Sequence, residues 1–188
     1  MSEQQDALIN VLVVDDTPNN LVLLMSLLEK RGYTVRPAVN GMLALTSARS
    51  TPPDLILLDI MMPEMDGYEV CRQLKADPTT RNVPVIFLSA LDETLDKVKA
   101  FEVGGVDYIT KPFHTEEVIA RVETQLELYR QRLEIEALRE KERVHFEEMS
   151  QLKDQFVQMV SHDLKNPLSV IITYLSLLRR TSAINDEK

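Results

Sequence analysis

The predicted fold is decided by the stretch Asp54-Leu-Ile-Leu-Leu-Asp59, which runs directly into Ile60-Met-Met-Pro-Glu-Met-Asp-Gly67. Its apolar centre, 55–58, is typical of a strand that is buried on both faces of a parallel sheet. The proline and the glycine that follow predict a loop. Ligands of open parallel sheets bind outside the carboxyl ends of the strands, so Asp59 stands where chemistry is expected. The alternative is an acid that caps a loop, but buried acids are rarely left unpaired.

Four further strands are predicted along the chain, and helices alternate with them. Thr17 and Pro18 predict the start of the first helix, with Thr17 as its N-cap. Asp92 is predicted to cap the fourth helix, which ends before Gly104. Strands that alternate with helices predict a doubly wound α/β fold with a five-stranded parallel sheet. The predicted strands cover residues 10–16, 34–38, 55–59, 83–89 and 106–110.

Five polar residues terminate these strands. Right-handed crossovers bring the carboxyl ends of parallel strands to one edge, so the five side chains are expected to meet there. Three of them are carboxylates, which repel each other unless a cation joins them, and their oxygens suit Mg²⁺ rather than zinc. With a lysine and a serine beside them, they can support phosphoryl transfer to a carboxylate. The residues are Asp15, Asp16, Asp59, Ser89 and Lys111.

Four short motifs surround these residues: Val13-Val-Asp-Asp16, Leu57-Leu-Asp59 with the following 60–67, Leu88-Ser-Ala90 and Thr110-Lys-Pro-Phe113. In this order and spacing they resemble the motifs of a response-regulator receiver domain of the two-component family. The resemblance covers residues 9–125 and implies a flavodoxin-like fold.

The resemblance also implies roles for the residues at the sheet edge. Asp59 would accept a phosphoryl group as an acyl phosphate, and Lys111 and Ser89 would hold the phosphoryl oxygens. Tyr108 occupies the position of the family's switch aromatic, although an ordinary half-buried aromatic is an equal alternative. The implied magnesium ligands are the side chains of Asp16 and Asp59, the backbone carbonyl of Met61 and, mainly through water, Asp15.

A long helix is predicted after the receiver segment, because residues 115–166 contain no Gly or Pro and are rich in helix formers. Two apolar stripes have alternating spacings of three and four. Sixteen residues separate them, which is not a whole number of heptads, so we expect two coiled-coil segments in different registers with a weak centre at 136–145. A single solvated helix is the alternative, but a parallel homodimer would cover both stripes. The stripes are Ile119, Val122, Leu126, Tyr129 and Leu133, then Met149, Leu152, Phe156 and Met159.

The motif Ser161-His-Asp-Leu-Lys-Asn-Pro-Leu168 lies further along the same predicted helix. His162 is two residues from both Val160 and Leu164, which places it about 200° from the apolar stripe, on the outside of the helix. By itself, an exposed histidine is usually an inert surface residue. In this context the motif resembles the H-box of the dimerisation and phosphotransfer domain of sensor histidine kinases.

This second resemblance implies that His162 is phosphorylated, that Asp163 assists as a base and that Asn166 takes part in phosphatase chemistry. Pro167 lacks an N–H and is predicted to bend the helix just past the site. Residues 156–188 would be the first helix of the phosphotransfer domain, and 126–155 would be a coiled-coil signalling helix.

Net charge, cysteine content and the length of the apolar runs limit which partners and which cellular compartment are expected. The chain has 188 residues and a net charge of −9, which argues against a broad nucleic-acid surface and against attraction to anionic lipid. The single cysteine, Cys71, cannot form an internal disulfide, and its spacing predicts a buried thiol. The N-terminus, 1–6, has no signal sequence, and the longest apolar run, 21–28, is too short to cross a bilayer. We expect a cytoplasmic protein without membrane insertion.

These features predict two-component phosphorelay signalling, in which phosphorylation of Asp59 regulates a histidine kinase through a dimeric helix that carries His162. An upstream kinase would supply the phosphoryl group, and a separate downstream receiver would take it from His162. The sequence contains no Gly-x-Gly motif of an ATP site, so the 188 residues are expected to belong to a longer kinase and not to be active alone. The alternative is a dimerising response regulator or phosphotransfer adaptor without kinase activity; a coiled-coil scaffold with a degenerate receiver is less favoured.

The predicted helix also bears on how the two phosphorylation sites relate. An unbroken helix from 115 to 162 would be roughly 70 Å long, whereas a receiver domain is only about 30 Å across. We therefore expect no direct transfer between Asp59 and His162. A break within 136–145 is the alternative that would permit it.

Overall fold

A computed structural model describes residues 9–90 and 94–185 of the chain, with side chains at 9–90, 98–162 and 165. The chain consists of two compact units, and the boundary between them lies between residues 133 and 134. The elements, in chain order, are β1 (Asn10–Val14), α1 (Pro18–Glu29), β2 (Thr34–Ala38), α2 (Gly41–Ser50), β3 (Leu55–Asp59), α3 (Gly67–Ala76), β4 (Val85–Ser89), α4 (Thr94–Glu102), β5 (Asp107–Thr110) and α5 (Thr115–Asn185).

The five strands form one parallel sheet in the order β2-β1-β3-β4-β5. The register places Leu57 of β3 between Val13 of β1 and Ile86 of β4. The central strand β3 is buried along its whole length, as its continuous apolar sequence predicted. The sheet confirms the predicted doubly wound α/β fold.

Helices cover both faces of the sheet, and alternate strand residues face opposite sides. On one face, Leu57 of β3 shares an apolar cluster with Leu24 of α1 and Val122 of α5. On the other face, Ile56 shares a cluster with Leu74 of α3 and with residues of α2 and α4. Each such fully buried aliphatic side chain stabilises the fold by about 1.5–3 kcal/mol. Both clusters end at or before Leu126.

The first turns of α5 belong to this core, which corrects one prediction. Ile119, Val122 and Leu126 were assigned to the first coiled-coil stripe. In the structure all three are buried in the cluster that α5 forms with α1 and the sheet. Leu133 remains exposed. The spacing that suggested a dimer seam up to Leu126 reflects packing within one chain.

Three element boundaries also differ from the sequence predictions. β1 ends at Val14, because the next residue, Asp15, folds its carboxylate back onto the N–H of Thr17. β4 begins at Val85 instead of residue 83, because Pro84 has no N–H to donate to the sheet. β5 begins one residue later than predicted. Thr17 is the N-cap residue of α1, but its side chain does not make a capping hydrogen bond. The predicted cap at Asp92 lies outside the described residues.

Cys71 is buried, as predicted. Its Sγ lies 3.4 Å from the backbone oxygen of Val103, to which it donates. Burial raises the pKa of the thiol to about 11. The thiol is therefore protonated at neutral pH and has a packing role.

The second unit, from Glu134 onwards, consists of the remaining part of α5. The side chain of Arg143 forms ion pairs with Glu140 and Glu147 one turn to either side. Apolar side chains such as Phe156 and Met159 are exposed in the single chain. Pro167 lies within α5, and the predicted bend there stays a prediction. Among the described residues, no helix has an apolar stretch that could span a membrane.

Candidate functional site

Three carboxylates lie together at the carboxyl edge of the sheet. Asp15 and Asp16 directly follow β1, and Asp59 is the last residue of the neighbouring strand β3. One carboxylate oxygen of each residue lies within 4.8 Å of the other two. Asp15 and Asp59 are buried, whereas Asp16 is exposed. The strand order therefore brings together the acids that the sequence placed at two strand ends.

Lys111, which follows β5, places its ammonium group between the two buried acids. Nζ lies 2.8 Å from Oδ2 of Asp15 and 2.8 Å from Oδ2 of Asp59. Burial lowers the pKa of Lys111, but the hydrogen bonds and charges of the two carboxylates raise it by more, so the pKa lies above its ordinary value. The lysine is therefore charged at neutral pH and neutralises part of the cluster.

Asp59 is the acid with a clearly perturbed environment. It is only 3% exposed, and burial raises the pKa of its carboxyl group above the ordinary value. The hydrogen bond and charge of Lys111 act in the opposite direction, whereas the charge of Asp15 adds to the rise. The N–H of Met61 points to Oδ1 of Asp59 at 3.4 Å. A carboxyl group perturbed by burial and by a specific charged partner is a candidate functional group.

Asp15 is held by more partners than the sequence indicated. The backbone N–H of Thr17 donates to Oδ1 at 2.8 Å, and Nδ2 of Asn20 lies 3.0 Å from both carboxylate oxygens. With the ion pair to Lys111, both oxygens of Asp15 have partners. Sequence reasoning missed Asn20. Its position in the first turn of α1, four residues after Asp16, does not by itself indicate a contact with Asp15.

Ser89 and Lys111 reach the site from the two strands on the far side of β3. Ser89 is the buried last residue of β4, and its backbone oxygen accepts the N–H of Lys111 at 2.7 Å. Asp59 pairs with Leu88, the residue before this serine. All five polar residues predicted at strand ends thus lie at one edge of the sheet.

Gly67, at the start of α3, packs directly on the strand end that carries Asp59. A Cβ atom at residue 67 would lie 2.2 Å from the backbone oxygen of Asp59 and 3.0 Å from Cα of Ile60. Both are backbone atoms that cannot move without displacing the strand. The loop after β3 can therefore close over the site only with glycine at this position.

Tyr108 lies half-buried on β5. Its ring is 6.3 Å from that of Phe101 in an edge-on arrangement, and the guanidinium carbon of Arg121 is 5.6 Å from the ring centre. Arg121 is in turn paired with Asp107 at 2.7 Å. These contacts suit an ordinary packed aromatic, and the switch role stays a prediction.

The donor set at this edge fits a hard divalent cation. Three carboxylates supply only oxygen ligands, and neither His nor Cys belongs to the cluster among the described residues. Asp16 is exposed, so it can bind an ion that keeps part of its water shell, as Mg²⁺ does. Both oxygens of Asp15 already have partners, so Asp15 is less available as a direct ligand than the exposed Asp16.

The predicted phosphoacceptor lies in the second unit. The His162 side chain is exposed, but so is Val160 at 36%, so exposure in a single chain does not distinguish the predicted outer face from the predicted seam. The side chains of Asp163 and Asn166 lie outside the described residues.

Comparison with known families decides the assignment of the first unit. A family model described as the response regulator receiver domain matches residues 11–123. The chain belongs to this family. A second family model, described as the His Kinase A (phospho-acceptor) domain, matches residues 152–188. The chain therefore carries a receiver domain followed by a histidine-kinase phosphoacceptor domain, as the motifs predicted, and this pair indicates two-component signalling.

Similar proteins of known sequence include two regulators. Response regulator PleD of Caulobacter vibrioides is 46% identical over 132 residues, which are 70% of this chain and 28% of PleD. The alkaline phosphatase synthesis transcriptional regulatory protein PhoP of Bacillus subtilis is 47% identical over 116 residues, which are 62% of this chain and 48% of PhoP. The chain thus spans less than half the length of these relatives.

Solved structures agree with the receiver fold. The signal receiver domain of a signal transduction histidine kinase from Syntrophus aciditrophicus is 40% identical, with a TM-score of 0.59 over 63% of this chain and 89% of that one. The BeF3-activated DrrB receiver domain is 34% identical, with a TM-score of 0.59 over 64% of this chain and 98% of that one.

Proposed function

We propose that Asp59 of this receiver accepts a phosphoryl group and that its phosphorylation regulates a histidine kinase whose phosphoacceptor is His162. One observation carries the first part. The buried carboxylate of Asp59 meets Lys111 at 2.8 Å and shares its edge of the sheet with Asp15 and Asp16. This cluster combines a nucleophile, a fixed cation and oxygen ligands for a metal, which are the parts that phosphoryl transfer requires.

In the proposed step, a carboxylate oxygen of Asp59 attacks the phosphorus of the donor. An O–P bond forms as the P–N bond of a donor phosphohistidine breaks, and its electron pair remains on the imidazole nitrogen. Lys111 leaves its ion pair with Asp59 to bind a phosphoryl oxygen, while Asp15 holds the other side of the ammonium group. Ser89 donates its hydroxyl hydrogen to a second phosphoryl oxygen.

Mg²⁺, when bound, would neutralise negative charge on the phosphoryl oxygens. The proposed ligands are the side chains of Asp16 and Asp59 and the backbone carbonyl of Met61, with Asp15 acting mainly through water. The Thr17 N–H and the Asn20 amide fix Asp15 in this orientation.

In the proposed second site, His162 is phosphorylated, Asp163 acts as the neighbouring base and Asn166 takes part in dephosphorylation. The match of residues 152–188 to the phosphoacceptor family supports this part. We further propose a receiver at 9–125, a signalling helix at 126–155 and the first phosphotransfer helix at 156–188.

The proposed partners follow from the two families. Domains of the His Kinase A family dimerise, and receivers interact with kinases and other phosphorelay proteins. We propose a homodimer through α5, an upstream kinase as phosphodonor and a separate downstream receiver. The ATP-binding activity of the proposed kinase would be supplied outside the 188 residues.

The proposal is tested by labelling the chain with a small phosphodonor such as acetyl phosphate, with and without Mg²⁺. Intact-mass measurement and peptide mapping should find one phosphoryl group, at Asp59, only in the presence of Mg²⁺. Asp59→Asn should abolish the label. Asp54→Asn is the matched control at the other end of β3, and it should be labelled like the wild type. Equal labelling of Asp59→Asn and wild type, or labelling that ignores Mg²⁺, would contradict the proposal.

A further inference from the structure

A second polar concavity lies in the receiver unit, at the sheet edge opposite to Asp59. It is a cleft of about 430 Å³ between the end of α3, the loop before β4 and the part of α5 at residues 125–132. Pro84 and Val106, which line it, directly precede β4 and β5. The cleft is therefore at the amino ends of these strands and does not overlap the acidic cluster.

The charge of the cleft is opposite to that of the chain. Lys75, Arg81 and Arg132 line it, and its lining includes neither Asp nor Glu. The chain as a whole has 30 acidic and 21 basic residues. Three cations without an acid among the lining residues are therefore a local concentration of positive charge, which favours an anionic ligand.

Lys75 is fixed in the wall of the cleft. Its Nζ donates to the backbone oxygen of Val83 at 2.7 Å and to that of Arg81 at 3.1 Å. Both acceptors are neutral, so its positive charge is not compensated by these bonds. Burial lowers the pKa of Lys75, the nearby Cys71 raises it, and the charge of Arg132 lowers it further. An anion placed between Lys75 and Arg132 would relieve their repulsion.

The remaining walls of the cleft are aromatic and apolar, so they suit a ligand that has an organic group in addition to its anionic group. Tyr129 and Leu128 of α5 face the cleft together with Pro84 and Val106. Aromatic rings and arginine side chains provide stacking surfaces for nucleobases. The volume lies within the usual range for small-molecule sites, roughly 300–1,000 Å³.

We propose that this cleft binds a small organic phosphate of the nucleotide class. Lys75, Arg81 and Arg132 contact the phosphate groups, and Tyr129 with the apolar wall contacts the base. The proposal does not depend on phosphorylation of Asp59. Because one wall is formed by residues 125–132 of α5, a bound nucleotide would join this part of the helix to the loop before β4.

The test is calorimetric titration of the full chain with ADP in magnesium-free buffer, so that the acidic cluster does not contribute. Inorganic pyrophosphate is the probe without a base. ADP is expected to bind at least about tenfold more tightly than pyrophosphate, because base stacking adds to the phosphate contacts. Arg81→Gln and Arg132→Gln are each expected to weaken ADP binding by about tenfold or more, since each removes a charge-assisted hydrogen bond.

The control variants distinguish specific binding in the cleft from unspecific electrostatic attraction. Arg130→Gln removes a charge from the same turn of α5 but from outside the cleft, and it should bind ADP like the wild type. Tyr129→Leu should weaken the binding of ADP but not that of pyrophosphate, whereas Tyr129→Phe should bind both like the wild type. Circular dichroism melting establishes that each variant is folded.

Four results would overturn the proposal. The first is the absence of ADP binding at millimolar concentration. The second is equal weakening of ADP binding in Arg130→Gln, which would mean unspecific attraction. The third is equal affinity for ADP and pyrophosphate with no effect of Tyr129→Leu, which would assign the cleft to a simple anion. The fourth is displacement of ADP by a glutamate-rich peptide at lower concentration, which would assign the cleft to an acidic protein segment.

Discussion

The pKa of Asp59 links the site to the stability of the receiver. Burial raises the pKa of this carboxyl group above its ordinary value of 3.8. A group with a raised folded-state pKa stabilises the fold fully at pH values below its unfolded-state pKa. That contribution is lost as the pH rises through the folded-state pKa. Ionisation of Asp59 as the pH rises therefore lowers the free energy of unfolding, and the site is maintained at some cost in stability.

Asp59→Asn is accordingly expected to raise the free energy of unfolding at pH 7, by on the order of 1 kcal/mol, the usual size of a single-residue effect. Lys111 keeps its ion pair with Asp15 in this variant, so its charge stays compensated. The gain should shrink at pH 4, where the wild-type carboxyl group is increasingly protonated. Urea unfolding of wild type and Asp59→Asn at pH 7 and pH 4 measures this gain in the free energy of unfolding.

Asp54→Asn is the control for this experiment. Asp54 accepts the backbone N–H of Asn10 at 2.7 Å, and an asparagine at this position keeps an oxygen acceptor. The control should lack the pH-dependent gain. A loss of stability in Asp59→Asn at pH 7 would show that the ion pair with Lys111 outweighs the burial of the charge.

Gly67 allows the loop after β3 to pack closely on the backbone of Asp59. The substitution Gly67→Ala is expected to destabilise the receiver by about 3 kcal/mol or more, because the alanine Cβ would overlap backbone atoms of the strand. Gly32→Ala is the comparison. Gly32 has a φ of +85° but open space around it, so only backbone strain of about 1 kcal/mol is expected. Thermal and urea unfolding of both variants measure the difference, and equal effects would contradict the close packing at Gly67.

At the residue scale, the sequence predicted the site acids but not their supports. Asp15, Asp59 and Lys111 are recognisable because each lies at the end of a predicted strand. Asn20 is not recognisable in this way, since an amide in the first turn of a helix is common. Its role depends on the direction in which α1 leaves the sheet. Supports of this kind require the fold before they can be identified.

At the element scale, α5 changes its environment along its length. Its first turns are packed in the receiver core, whereas apolar side chains from Leu133 onwards are exposed in the single chain. Periodicity alone could not separate these segments, because helix packing on a sheet and packing in a coiled coil both use spacings of three and four.

The exposed residues also extend the second stripe towards the receiver. Counting back from Met149 in steps of four and three leads to Leu138 and Ile135, both exposed, with His145 and Glu142 in between. In this register the weak centre predicted at 136–145 places only two polar residues, His145 and Glu142, in the apolar stripe. The stripe continues on their N-terminal side. Polar residues at seam positions lower the stability of a coiled coil and help to fix its register.

Three substitutions on α5 should separate core packing from dimerisation. Val122→Lys places a charge in the receiver core and should unfold the receiver, because an unpaired buried charge is strongly unfavourable. Phe156→Lys, like Met159→Lys, should weaken the dimer and leave receiver unfolding unchanged. Light scattering at tens of micromolar gives the mass, and thermal unfolding gives receiver stability.

A wild-type chain that is monomeric at this concentration would contradict the dimer. A receiver destabilised by Phe156→Lys would show that the exposed stripe contributes to the receiver core after all.

At the scale of the whole molecule, the fold was predictable because many local signals agree. The strands β1, β3 and β4 each contain an apolar run of four residues, and connections are marked by residues such as Asn40 or Gly67 that favour turns or helix starts. The strand edges were less predictable. Pro84 cannot donate to the sheet, and the N–H of Val83 donates to the backbone oxygen of Thr80, a bond that only the structure reveals. The cleft at Lys75 and Arg132 was not predictable, because its residues are separated along the chain and meet only in the folded unit.

The central claim is that the state of Asp59 controls what happens at His162. It is tested most directly by supplying the ATP-binding domain of a histidine kinase separately and measuring the initial rate of His162 phosphorylation. The rate is measured with and without beryllofluoride, which mimics the phosphoryl group at Asp59. We expect the two rates to differ by about fivefold or more, the size of a typical coupling between sites, and Asp59→Asn to abolish the difference. Equal rates in wild type, under conditions where beryllofluoride binding to Asp59 is verified, would contradict the claim.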